Sequence, residues 1–174
     1  MFSKPEYRFH SILFVFALTV FTTSHSNAQT VEAICTGTEV ANYTPGLTLT
    51  EQYTEFVATS DFSTCLSGSD PEITSAVIEW SGAGGLSCLS GGSTGSAQVT
   101  WNTGETSDFT FSTVVAQRPL GNVIIILDGE IISGKFSGST MLQEITLLNL
   151  NPVACLNDGV ETLYGPVQMQ ITSI

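Results

Sequence analysis

The chain has 174 residues, 42% of them hydrophobic, and sixteen acids against four bases give a formal charge of −12. So few Lys and Arg exclude nucleic acid and anionic lipid surfaces as partners, because binding phosphate depends on those side chains. Both histidines, His10 and His25, fall within the first 28 residues, which read as a leader; without them no imidazole remains for Ser-His-Asp or Cys-His catalysis or for a His-containing zinc or copper site.

The leader has three parts. Lys4 and Arg8 make a basic start, and Ile12 to Phe21 (ILFVFALTVF) is an apolar run. That run is too short for a bilayer, which takes about 20 residues. Ser26-Asn27-Ala28 then offers small residues at a cleavage site, so cleavage is predicted after Ala28. Losing Lys4, Arg8 and Glu6 turns the charge of −12 into −13. Residues 1–28 are thus expected to be a signal peptide and 29–174 one all-β domain, secreted or periplasmic, with no membrane association after cleavage. Val-Glu-Ala-Ile before Cys35 lacks the small residue that a lipid-anchor site places there.

Strand patterns dominate the rest. A strand is expected around Val40 to Tyr43, then a turn at Pro45-Gly46, then a strand from Tyr53 to Thr59. Ile73 to Trp80 alternates, with Ala76, Ile78 and Trp80 on one side. The stretch SGAGGLSCLSGGSTG at 81–95 reads as two glycine-rich bends around a short strand, Leu86 to Leu89. It lacks the following helix and the lysine of a phosphate loop. Ala97, Val99 and Trp101 alternate with Gln98, Thr100 and Asn102, and Thr106 to Val115 returns with Phe109 and Phe111 on one face. The turn Asn102-Thr103-Gly104-Glu105 makes these a hairpin. Val123 to Leu127 (VIIIL) is apolar on both faces and is expected to be a central, covered strand. Asp128-Gly129 is read as a turn, with Glu130 to Phe136 returning. Met141 to Leu150 fits helical spacing about as well as strand alternation; β-branched Ile145 and Thr146 at its centre decide for strand. Val167, Met169 and Ile171 form the closing strand. Short strands between Gly, Pro, Ser and Asn indicate an all-β fold, an antiparallel β-sandwich or barrel.

Four cysteines, Cys35, Cys65, Cys88 and Cys155, lie beyond the leader. An even number in an exported chain implies two disulfides. Three pairings are possible; the one favoured is Cys65–Cys88, closing a local segment, with Cys35–Cys155 tying the ends. A four-thiolate metal site would use closely spaced pairs, and no C-x-x-C occurs.

Cys35-Thr36-Gly37, then Tyr43-Thr44-Pro45-Gly46-Leu47-Thr48, the Trp101-Asn102-Thr103-Gly104-Glu105-Thr106-Ser107 element and the Gly134-Lys135-Phe136-Ser137-Gly138 element follow one another. In this the chain resembles small, secreted, four-cysteine β-rich bacterial proteins of the kind common in actinobacteria. The resemblance covers most of residues 29–174 and implies a fold. That family is functionally uncharacterised, so it supplies no catalytic residues.

Candidate sites are few. Asp128 and Glu130 are two apart, which on a strand sets them on one face about 6.5–7 Å apart, comparable to the carboxylate pairs of glycoside hydrolases. Exposed acids at a turn are the plainer reading. Asp61, Asp70 and Glu72 cluster around Cys65 and offer oxygen ligands for calcium, without EF-hand spacing. Tyr43 and Tyr53 are candidate ligand-stacking residues, whereas Trp80 and Trp101 sit on apolar strand faces and read as core. Ser133 and Lys135 could pair as nucleophile and base, although a solvated lysine fits as well. These observations lead to a non-enzymatic exported binding or surface module for an extracellular glycan or protein, with no cofactor. A secreted hydrolase inhibitor presenting 61–72 or 81–95, and a hydrolase using Asp128 and Glu130, are the alternatives.

Overall fold

The computed structural model describes residues 29–117, 122–148 and 151–173; the leader, Arg118, and Asn149 and Leu150 at the end of the 141–150 segment lie outside them. Eight strands follow in order: β1 (Thr30–Leu47), β2 (Gln52–Ser67), β3 (Ala76–Leu86), β4 (Gly91–Trp101), β5 (Thr106–Gln117), β6 (Val123–Gly134), β7 (Thr140–Leu147) and β8 (Val160–Ser173). One short helix, α1 (Pro152–Leu156), precedes β8. Each strand pairs antiparallel with the next, and β8 returns to pair with β1, so the sheet closes into an up-and-down barrel. Closure rather than a sandwich follows from the long β1·β8 ladder, which runs from Thr30↔Ser173 to Leu47↔Val160. It leaves no free edge.

Strand alternation fills the interior. Cys35, Glu39, Ala41 and Tyr43 of β1 point inward, as do Ile78 and Trp80 of β3, Val99 and Trp101 of β4, Phe109 and Phe111 of β5, Met141, Gln143 and Ile145 of β7, and Val167, Met169 and Ile171 of β8. Glu55, Glu79, Asp128, Glu130 and Glu144 lie exposed on the outer wall. They share that wall with exposed Val40, Val57, Leu142 and Tyr164, and the apolar interior contrasts with the polar lumen of a transmembrane barrel. Among the described residues, no helix is long and apolar enough to cross a membrane.

Several expected boundaries move. Pro45-Gly46 lies inside β1, where Thr44–Pro45 is a cis peptide. Asp128-Gly129 is no turn, because β6 runs straight through it opposite Phe111 and Ser112. Nor is VIIIL covered on both faces. A single closed sheet has only one interior, and Leu127 is buried in it while Ile124 and Ile126 are half-buried. Residues 86–89 are not a strand: β3 ends at Leu86, and Ser87 turns the chain, its Oγ accepting from Leu89 N and Ser90 N. The 141–150 segment is strand through Leu147, as the β-branched centre indicated. Helix α1 had no counterpart in the sequence reading, although its start is well marked. Asn151 caps it, accepting from Val153 N and Ala154 N, and Pro152 holds the first helical position.

The disulfides are Cys35–Cys65 and Cys88–Cys155, so the favoured pairing is corrected. Antiparallel register explains it. Cys35 faces Cys65 directly across β1 and β2. Cys65 ends β2 at one mouth of the barrel, whereas Cys88 lies beyond the end of β3 at the other. The eleven residues of β3 separate those two levels by about 30 Å. Two disulfides fit an oxidising compartment.

Candidate functional site: a cavity at the helix end of the barrel

The two mouths differ. At one, the turns β2–β3, β4–β5 and β6–β7 meet over a filled interior. Trp101 packs edge-on against Phe136 at 5.4 Å, and its Nε1 donates to Ser107 Oγ, which donates in turn to the carbonyl of Lys135. Asn102 accepts from Thr74 N and Ser75 N and donates to the Glu72 carbonyl. Lys135 Nζ bonds Asp70 at 2.6 Å and Glu105 at 3.1 Å, joining all three turns. Its bond to Asp70 lowers that carboxyl's pKa and raises the lysine's.

At the other mouth sit the β1–β2 and β3–β4 turns and α1. Cys88–Cys155 fastens the β3–β4 turn to α1, Leu49 N donates to the Cys155 carbonyl, and Cys88 N donates to the Thr48 carbonyl. Beneath this cover is a cavity lined by Tyr43, Leu47, Phe56, Trp80, Leu86, Ile125 and other residues, with Glu39 among them. The space open to the centre of a water-sized sphere is about 40 Å³, room for about three waters.

The glycine-rich stretch 81–95 produces this cavity. It forms the end of β3 and the start of β4, paired Gly82↔Gly95, Gly84↔Ser93 and Leu86↔Gly91. A Cβ at Gly82 would come within 2.8 Å of the Phe56 ring, and one at Gly95 within 2.8 Å of the Phe111 ring. Here the wall contributes almost no side-chain volume. The two rings lean into the room it leaves, and Gly91 and Ser93 line what stays open.

Glu39 lies between the packed half and the cavity. It is 3% exposed, opposite Ser60 in the β1·β2 register. Its Oε2 accepts from Ser60 Oγ at 2.7 Å and Gln143 Nε2 at 3.1 Å, and Ser60 Oγ accepts from Trp80 Nε1 at 2.8 Å. These bonds favour the carboxylate, but burial outweighs them and pushes the pKa up to about 7. No described cation pairs with Glu39; Lys135 is engaged at the far mouth. Oε1 is free of protein hydrogen bonds, and Oε1 of the fully buried Gln143 has no partner. The base of the cavity therefore carries a carboxyl oxygen with no protein donor, under apolar walls.

The residues singled out from the sequence are dispersed. Tyr43 is buried in the cavity wall, 6.1 Å from the Phe56 ring. Tyr53 is 68% exposed on the outside, so the two form no common stacking face. Asp128 and Glu130 both face outward on β6, in a shallow groove with Thr110, Ser112 and Thr140. Asp61 is exposed on β2, Asp70 is committed to Lys135, and Glu72 is exposed, its backbone N–H donating to Asp70. Among the described residues no three His, Cys, Asp or Glu are grouped to hold a metal. Ser133 donates to Asp108 rather than meeting Lys135, and that bond, after the one from Gln98, lowers the Asp108 pKa. Glu39, Ser60 and Gln143 were missed. The available signal was the spacing Cys35, Glu39, Ala41, Tyr43, which puts the acid on the inward face once β1 is extended before Val40.

Comparison of the chain with protein-family models, with curated proteins and with solved structures finds no match.

Proposed function

We propose that the protein is an exported binding module that takes up a small, slender, mainly apolar molecule through the helix end and performs no chemistry on it. The observation that carries this reading is the apolar cavity with a buried carboxyl group at its base. Eight-stranded barrels have interiors just wide enough to be filled by side chains or to hold one small ligand, and here one half is filled while the other is not. Removing an alkyl chain from water into such walls supplies about 25 cal/mol per Å². Few precisely placed polar groups among apolar ones are the usual composition of a small-molecule site. A glycan site is less well supported, because Tyr43 and Tyr53 lie on opposite sides of the wall.

Calorimetric titration with 1-propanol, short enough for a cavity of this size, tests this. Saturable one-to-one binding is expected, weakened at least tenfold by Ala41→Leu, which pushes a larger side chain into the cavity; Ser93→Val serves as the milder variant if the first does not fold. Titration with no saturable heat, or binding untouched by both variants, would defeat the reading.

A further inference from the structure

We propose that the ligand's polar end is a protonated amine, held by the Glu39 carboxylate at the base of the cavity. This rests on the binding function proposed above and names its ligand class.

Two observations point the same way. Glu39 is nine-tenths buried or more, lines the cavity, and has no described cation beside it. A buried carboxylate without a counter-charge is unfavourable, and a cation brought by a ligand would relieve that. The protein donors already present, Ser60 Oγ and Gln143 Nε2, both converge on Oε2 and leave Oε1 unmatched. A carboxylate-ended ligand would meet like charge at Glu39, and an alcohol would satisfy a single acceptor. An ammonium brings three donors and the missing charge. The formal charge of −12 also draws cations toward the molecule.

Protonation of Glu39 should gate this preference. The groups facing it are neutral: Ser60 on β2, Trp80 on β3 and Gln143 on β7, with Tyr43 the other titratable residue lining the cavity. With its pKa near 7, Glu39 gains its charge between pH 6 and pH 8. Alkylamines stay protonated throughout that range. Amine binding should therefore strengthen about tenfold from pH 6 to pH 8, and alcohol binding should change little.

The experiment titrates the protein with propylamine, 1-propanol and propanoate at pH 6 and pH 8. Propylamine is expected to bind about tenfold more tightly than propanol at pH 8, propanoate most weakly, and Glu39→Gln to remove the amine's advantage while propanol still binds. Propanol binding as tightly as propylamine at pH 8 overturns the amine assignment and leaves the binding function standing. An amine preference that survives in Glu39→Gln assigns it to the acidic surface and also overturns the proposal. If Glu39→Gln does not fold, the wild-type pH comparison decides: an amine affinity equal at pH 6 and pH 8 overturns it. Failure of all three probes to bind removes the binding function and the inference together.

Discussion

The two mouths of the barrel use the same eight strands and reach opposite results. At the turn-clamped mouth, inward positions carry Phe62, Ile73, Trp101, Phe109, Ile131, Met141 and Met169, all nearly inaccessible to solvent. At the helix mouth, the corresponding stretches of β3 and β4 carry Gly82, Gly84, Gly91, Ser93 and Gly95. An interior of fixed width is full where the side chains are large and hollow where they are missing. The first end is built for stability and the second for occupancy. The buried network of Glu39, Ser60, Trp80 and Gln143 lies where they meet.

The contrast can be broken most sharply by truncating one aromatic in each half. Phe109→Ala should cost about 3–5 kcal/mol in urea denaturation, because close-packed neighbours cannot collapse onto the void. Phe56→Ala, beside space that is already open, should cost about 1–2 kcal/mol and widen the cavity. Equal losses would mean that the two ends are packed alike. Next in size, replacing both Cys88 and Cys155 by Ser should cost about 2–4 kcal/mol. Amide exchange should accelerate first at the β3–β4 turn and α1, with the turns at the opposite mouth retaining their protection. Uniform loosening would show that the barrel does not divide this way.

Glu39 supplies a pH test. Its folded pKa, about 7, lies above its ordinary value of 4.5, so the folded state holds the proton more tightly than the unfolded one. The sign follows from linkage: Glu39's contribution to stability is fully present below pH 4.5 and is lost as pH rises toward 7. The loss is on the order of 3 kcal/mol. Glu39→Gln should therefore be more stable than the wild type at pH 8, with the difference shrinking toward pH 4.5. A difference that does not vary with pH would show that Glu39 keeps an ordinary pKa. The smallest effect belongs to Lys135→Met, since its ion pairs with Asp70 and Glu105 are solvent-accessible. Thermal melting should fall slightly at low salt and hardly at all at high salt.

The packed end was the more legible half. Trp101 and Phe109 alternate with polar residues, and a period of two with a turn between needs nothing further to define a hairpin and its inward face. The strand after Asp128-Gly129 was misplaced because turn-forming residues were read locally, whereas a long β6 is imposed by ladders to β5 and β7. Disulfide partners were invisible for the same reason: register, not spacing, brings Cys35 to Cys65. The cavity could not be seen at all. Missing volume is a property of several strands at once, and the glycines that cause it look like bends when read along a single one. Glu39 is an ordinary acid in sequence, and only closure of β8 onto β1 encloses it.

One measurement reaches the central claim, because the chain has two tryptophans, one in each half, each with its indole N–H in a hydrogen bond. Trp80 donates to Ser60 in the network below the cavity, and Trp101 to Ser107 at the packed mouth. In a ¹⁵N-labelled sample titrated with 1-propanol, the Trp80 indole resonance should shift saturably while that of Trp101 stays in place. Equal shifts of both resonances, or no shift of Trp80 at saturation, would contradict a ligand cavity confined to the helix end.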